Sequence, residues 1–237
     1  MLVGGAPATK ASRQVAAAEP IVVLGPPPPF VSRGGQKLDG ALERFPVRVE
    51  GRSALDAGAS TGGFTDCLLQ RGAASVTSVD VGHGQLHEKL RRDPRVSVFE
   101  RVHIRDFEGG PYELIVADLS FISLRTVAEA LFGRLAQPGA DVVALVKPQF
   151  EAPRAEASKG RGVIRDPQVW RRALEGVRTA IVDQGATMMD IMVSPLTGAE
   201  GNVEFLAHAV AHRDGPSLDD AALDAVVAEA APAADGG

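Results

Sequence analysis

The chain is poor in the residues that build disulfide scaffolds, membrane spans and aromatic-rich surfaces. Its 237 residues include one cysteine, one tryptophan and one tyrosine, and aromatics make up only 5% of the total. The single Cys67, between Asp66 and Leu68, excludes an internal disulfide framework and reads as a buried, inert thiol. There is no run of roughly 18 or more apolar residues, and no charged segment followed by an apolar one at the start, so neither a membrane span nor a signal peptide is expected. The expectation is a cytoplasmic protein. A basic excess is missing too, since the net charge is −5. Taken whole, that speaks against a nucleic-acid partner, but the charge is unevenly spread. All 25 Lys and Arg lie in residues 1–213, while Asp214, Asp219, Asp220, Asp224, Glu229 and Asp235 follow them, so residues 1–213 carry +1. An RNA-facing surface stays open.

What is present is 45% hydrophobic residues, enough for one full core plus an appendage. The stretch Ser53–Thr65, SALDAGASTGGFT, organises the rest. A short apolar run ends at Asp56, Gly58, Gly62 and Gly63 follow, and a helical pattern begins at Phe64. Strand, Gly-rich turn and helix in that order let the backbone press against a small ligand while the new helix offers its free N–H groups. The spacing G-x-x-x-G-G is off register for the dinucleotide fingerprint G-x-G-x-x-G, which argues against an NAD-dependent oxidoreductase.

Residues 1–25 hold two extended runs, Leu2–Val3 and Ile21–Leu24, around a stretch with Lys10 and Arg13. Four prolines, Pro26–Pro29, then form a stiff spacer, so 26–31 is read as a linker and 32–213 as the main domain. The Ala/Pro/Asp/Gly-rich residues 214–237 are expected to be an acidic, disordered or loosely helical tail. Leu38, Ala41, Leu42 and Phe45 recur at helical spacing, with Lys37 just before them. Strands are expected at 75–79 ending in Asp80, at 96–99, at 114–117 ending in Asp118, and at 142–146 ending in Lys147. Ser123 is placed to cap a helix carrying Leu124, Val127, Leu131 and Leu135, and Asp166, Pro167 and Gly185 bracket another with Trp170 facing inward. Strands at 189–193 and 203–209 close the pattern as a hairpin.

Strands alternating with helices imply an α/β fold, a doubly wound and mostly parallel seven-stranded sheet with an antiparallel last strand. Ligands of such sheets bind outside the carboxyl ends of the strands. Asp56, Asp80, Asp118 and Lys147 fall at those ends, and Glu204, at the start of the antiparallel strand, falls on the same rim. Asp80, closing the second strand, is in the position that accepts hydrogen bonds from ribose hydroxyls. Desolvation and Lys37 oppose a charge on Lys147, whereas Asp118 and Glu204 favour it. In one case Lys147 takes a proton from a hydroxyl; in the other it only orients substrate. His83 and His87 have zinc-like spacing on a helix but no third ligand, so no metal is expected.

The segments SRGGQKL, LDAGASTGGFTD, VDVGHGQL, DLSFISL, LVKPQFE, GRGVIRDP and GAEGNVEFL, in this order, closely resemble the TlyA or hemolysin A family of FtsJ-like ribosomal RNA methyltransferases. The resemblance spans roughly 30–210. It implies a Rossmann-like class I fold, S-adenosylmethionine as cofactor, and methyl transfer to a ribose 2′-hydroxyl of 16S or 23S rRNA, on a cytidine. The family's Lys-Asp-Lys-Glu tetrad falls on Lys37, Asp118, Lys147 and Glu204. By the same resemblance Asp56, Gly58, Ser60, Gly62, Gly63 and Phe64 surround the methionine part of the cofactor, Asp80 its ribose and Asp106 its adenine, with Val81 and Asp118 also binding the cofactor. Lys147 becomes the base or orienting group, aligned by Asp118 and Glu204 with Lys37 alongside, and no metal is required. RNA contacts are expected from Lys10, Arg13, Arg33, Lys37, Lys159, Arg161 and Arg165.

The chain departs from the family in three places. Residues 1–25 resemble only the second half of an alpha-L RNA-binding module, prolines replace a Trp-containing linker, and His103 stands in place of Asn. The alternative reading, a non-catalytic RNA- or membrane-interacting hemolysin-like protein, lacks an amphipathic stretch with a large apolar face and a Lys-rich back.

Overall fold

Alternate residues of a strand face opposite ways, so the unbroken apolar run at 142–146 needs cover on both sides. In the computed structural model, which describes residues 1–10, 12–24, 27–153, 155–156 and 162–234, helices supply that cover. Val142, Ala144 and Val146 enter one core, Val143 and Leu145 the other.

The strands are β1 (Leu2–Val3), β2 (Ala6–Pro7), β3 (Ile21–Val22), β4 (Ser53–Ala57), β5 (Ser75–Asp80), β6 (Val96–Glu100), β7 (Tyr112–Ala117), β8 (Ala136–Val146), β9 (Thr187–Val193) and β10 (Phe205–Val210). The first three form a small antiparallel sheet. The other seven form one sheet in the order β6-β5-β4-β7-β8-β10-β9. Its first five strands are mutually parallel, and β10 runs antiparallel to both β8 and β9. This is the doubly wound arrangement expected from the alternation of elements.

Helices α1 (Arg33–Arg44), α2 (Gly63–Gln70) and α3 (Glu88–Arg91) cover one face. On the other lie α5 (Pro167–Asp183), α6 (Asp220–Ala234) and an irregular helical segment from Leu124 to Arg134, while the single turn α4 (Pro148–Glu151) follows β8. The Asp166 side chain caps α5, accepting from Gln168 N, and Trp170 is fully buried with Nε1 donating to Ile164 O. Cys67 is buried in the α2 face, and burial pushes its thiol up to about 12. Ser123 does cap its helix, but Leu124–Val127 is a 3₁₀ turn and Glu129–Arg134 a π-helix. The widened turn brings Ala130, Leu131 and Phe132 as well as Leu135 into the core, which a regular 3.6-residue spacing does not do.

Of the disordered or loosely helical tail expected, Asp220–Ala234 is helical and packed, so disorder is corrected there. That segment is α6, and Leu223, Val226, Val227 and Ala230 enter the larger core. Arg171 holds Asp220 and Asp224, and Arg178 holds Asp220, so the acids answer bases on α5. Composition alone hid this, because Ala and Asp dominate while the apolar spacing is sparse.

At the opposite end of the sheet from the Gly-rich turn, Asp141 on β8 accepts from Arg52 Nη1 at 2.5 Å and from His208 Nε2 at 2.7 Å. The Phe45 ring stacks on His208 at 5.5 Å. Burial works against the Asp141 carboxylate, but the bonds from His208 and Arg52 prevail and hold it below the usual carboxylate range. A depressed folded-state pKa stabilises above the unfolded value near 3.9 and is lost as pH falls through the folded one.

Two outcomes follow for denaturant unfolding. Deletion of residues 219–237 should cost at least about 2 kcal/mol, from re-exposing four apolar side chains; an unchanged midpoint would mean that α6 contributes nothing. Asp141→Ala, which strands His208 and Arg52, should cost about 3 kcal/mol at pH 7 and progressively less below about pH 4.

Candidate active site

A doubly wound sheet opens where the strand order reverses, and here that point lies between β4 and β7. The backbone crowds there. A Cβ on Gly58 would stand 2.5 Å from Asp118 O, and Gly58 has φ +86°, so only glycine lets the two strand ends approach. Asp118 N in turn donates to Ala57 O at 3.0 Å.

Two adjoining clefts of about 520 and 510 Å³ open from this point. Gly58, Ser60, Asp118 and Ser120 belong to both walls. The first runs toward β5 and β6 and is bounded by Asp80, Val81, Gly82, Gln85, His103, Ile104 and Phe121. The second runs toward α1, between Arg33, Lys37, Gly63, Phe64 and Lys147. The two clefts are thus two arms of one groove.

The Gly-rich turn closes tightly on its neighbours. A Cβ on Gly63 would meet Ser32 Oγ at 2.3 Å and Gly35 N at 2.7 Å, so α1 packs against the start of α2 only because that position is bare. Asp66 Oδ2 accepts from Val31 N at 2.9 Å, and Arg71 Nε donates to Asp39 Oδ1 at 2.8 Å. These bonds fasten the helix carrying Lys37 to the helix that begins at the turn. Gly62, at φ +96°, faces the other way, toward Leu86 and Leu90, and does not line the groove.

Three carboxylates surround the turn. Asp80 Oδ2 accepts from Ser60 N at 2.8 Å and its Oδ1 from Gly82 N at 2.6 Å, on the wall of the first cleft. Asp56 is fully buried beneath the loop rather than exposed in it. Its Oδ2 accepts from Thr65 Oγ1 at 2.6 Å, and among the described residues its Oδ1 has no hydrogen-bond partner. Burial pushes this carboxyl up to about 7, against the Thr65 bond and with added repulsion from Asp118 and Asp80.

The four residues of the tetrad form two ion pairs, with Lys37, Asp118 and Lys147 on the wall of the second cleft and Glu204 buried behind Lys37. Lys37 Nζ lies 2.5 Å from Glu204 Oε2, and Lys147 Nζ lies 2.5 Å from Asp118 Oδ1. Lys37, Lys147 and Glu204 are all less than a tenth exposed. Lys147 also donates to Ser120 Oγ at 2.9 Å, with hydrogen-bond alignment that the approach to Asp118 lacks. Glu204 therefore aligns Lys37 and not Lys147, a correction to the expected pattern. β8 lies between β7 and β10, so the sheet alone brings both Asp118 and Glu204 near Lys147; α1 decides the pairing by delivering Lys37 to Glu204.

Other expectations fare variously. Ser60, Phe64 and Val81 line the groove, Val81 two-thirds exposed. Asp106, expected at an adenine, is exposed and outside both walls; the turn that bonds Asp106 N to His103 O gives His103 and Ile104 to the cleft instead. His83 and His87 do not share a helix: His83 pairs with Glu100, and His87 caps α3. Arg33 is exposed at the second cleft. Lys10, Arg13 and Arg165 are exposed away from it, with Arg13 paired to Glu19, and Lys159 and Arg161 lie outside the described residues.

Ser120, Phe121 and Gln85 were not anticipated. Phe121 is 92% exposed, has φ +64°, and its ring centroid is 5.3 Å from that of Phe150. The available signal was position: all but Gln85 sit in loops directly after strands whose ends form the rim.

Comparison with known proteins places the chain in a family. Residues 30–210 match the model of the FtsJ-like methyltransferases. The chain is 48% identical over 208 residues to the 16S/23S rRNA (cytidine-2′-O)-methyltransferase TlyA of Mycobacterium tuberculosis, covering 86% of this chain and 77% of that protein. It is 44% identical over 186 residues to hemolysin A of Brachyspira hyodysenteriae, covering 76% and 77%. Among solved structures, a hemolysin-type protein of Streptococcus thermophilus superposes with TM-score 0.82 and 41% identity, covering 89% of this chain and 77% of that one. An S-adenosylmethionine-dependent methyltransferase of Mesorhizobium loti shares the fold at TM-score 0.55 and 16% identity, covering 73% and 97%. The chain with these paired lysines and carboxylates on a Gly-rich rim belongs to the FtsJ-like methyltransferase family, in the branch of TlyA and hemolysin A.

Proposed function

We propose that the protein transfers a methyl group from S-adenosylmethionine to a ribose 2′-hydroxyl of ribosomal RNA, on a cytidine as in the TlyA relatives. The observation that carries this reading is the Lys147–Asp118 pair at the junction of the two clefts, with Lys37–Glu204 across the second.

The residues present suit the cofactor. A cation is favoured among Asp56, Asp80 and Asp118, and among the described residues Oδ1 of both Asp56 and Asp118 is buried without a hydrogen-bond partner. Asp80 can accept from sugar hydroxyls, and Val81, His103 and Ile104 give an apolar wall for a base. When bound, S-adenosylmethionine supplies a methyl carbon made electrophilic by its sulfonium. The protein then has to align the acceptor oxygen with that carbon and remove one proton.

Lys147 serves both needs in this proposal. Its Nζ faces the second cleft and holds the acceptor hydroxyl. The proton that the acceptor hydroxyl gives up on methylation would pass to Lys147, which would yield one of its own to Asp118, 2.5 Å away. Lys37, neutralised by Glu204, and Arg33 line the path of the RNA backbone. Phe121, exposed at the mouth, offers a face on which an unstacked base can lie. Residues 1–25, read as the second half of an RNA-binding module, add Lys10 and Arg13.

Incubation with labelled S-adenosylmethionine and ribosomal subunits lacking the modification should label ribose. Lys147→Ala should cut that transfer at least about 100-fold and leave cofactor affinity within twofold by calorimetry. A variant with near-normal turnover would remove Lys147 from the mechanism.

The Asp56 carboxyl, at about 7 in the free protein, should ionise more readily beside a bound cation. The sign follows: affinity for S-adenosylmethionine rises with pH through 7 and weakens below it, by about tenfold between pH 8 and pH 6. Titrations at the two pH values should show this, and Asp56→Asn should flatten it.

A further inference from the structure

We propose that Ser120 is a positioning residue for Lys147, one that fixes the direction from which its amine meets the acceptor oxygen. The inference rests on the role given to Lys147 above and adds a member to the four charged residues.

A lysine nitrogen on a flexible stem has three substituent directions beyond its carbon, and one strong partner fixes only one of them. Asp118 lies 2.5 Å from Nζ but without hydrogen-bond alignment, so it holds the charge without fixing how the amine is turned. Ser120 Oγ supplies the aligned bond, accepting from Nζ at 2.9 Å, and confines the remaining N–H directions to a cone about it. Lys147 lines the second cleft, so the turn set by Ser120 decides how those directions meet an acceptor there. Ser120 itself is exposed and belongs to the walls of both clefts, so it stands where a methyl donor in one would meet an acceptor in the other.

The loop that presents Ser120 is held in place from the same strand end as Lys147. Glu151, four residues beyond it on α4, is buried and accepts from Ser123 Oγ at 2.5 Å and Leu124 N at 2.7 Å. Glu151 thus ties the loop after β7 to the turn after β8, keeping the serine and the lysine in register. Phe121, between Ser120 with its bond to Lys147 and Ser123 with its bond to Glu151, is held at φ +64°, a conformation that a non-glycine residue rarely adopts.

Single-turnover transfer with saturating S-adenosylmethionine and RNA reads the chemical step apart from binding. Ser120→Ala should slow that step at least about tenfold, with cofactor and RNA affinities within twofold. Ser120→Thr, which keeps the hydroxyl, should recover the rate to within about threefold. If Ser120→Ala reacts at the wild-type rate, or if its loss follows weakened cofactor or RNA binding, or if Ser120→Thr is as slow as Ser120→Ala, the positioning role is wrong. A wild-type protein that transfers no methyl would instead overturn the enzyme reading on which the proposal rests, so the two failures are told apart.

Discussion

Buried charge has to be paired, and in this fold that requirement gathers distant parts of the chain at one rim. Removing an ammonium or carboxylate from water costs several kcal/mol, which a partner in good geometry roughly offsets. Lys37 and Glu204, 167 residues apart, meet inside the protein, and so do Asp118 and Lys147. Such pairs add little net stability compared with apolar residues of the same size, so their placement answers a chemical need more than a folding one. The Asp141, Arg52 and His208 cluster at the far end of the sheet is the contrast. It is also buried and paired, but none of its members is on the wall of either cleft, and its bonds tie β8 to β10.

Close backbone approach does the complementary work. Bare positions at Gly58 and Gly63 let β4 meet the end of β7, and let α1 meet the start of α2. Gly198 performs the same service for Glu204, whose Oε1 would lie 2.2 Å from a Cβ there. Each of these glycines sits beside a residue of the tetrad or on the wall of a cleft, so the charged groups converge because the backbone between them has been thinned.

Much of this was legible in the sequence because it follows from strand ends. Asp56, Asp80, Asp118 and Lys147 could be assigned to one rim from alternation and right-handed crossovers alone. What the rule leaves open is pairing and depth. It places Glu204 near Lys147 without saying that α1 brings Lys37 closer, and it places Asp56 at the rim without saying that the loop buries it. Ser120 carried no signal of its own, since a serine in a loop is common and only the 2.9 Å bond to Lys147 distinguishes it. Asp220–Ala234 misled in the other direction. Its acids read as solvated until Arg171 and Arg178 are seen on the neighbouring helix, five and twelve residues along from Asp166, the α5 cap.

The shared wall gives the groove its logic. Gly58, Ser60, Asp118 and Ser120 face both arms, so a ligand in one arm touches groups that define the other. Asp118 illustrates the consequence. It repels the buried Asp56 and pairs with Lys147 at 2.5 Å, so charge placed in the first arm alters the balance at the second. The helix carrying Lys37 is fastened to the helix that starts at the Gly-rich turn, so a shift of that turn also moves the far side of the second arm. Two arms joined by so few residues cannot be tuned separately. A substitution that improves the fit of one arm must therefore be judged by its effect on the geometry of the other.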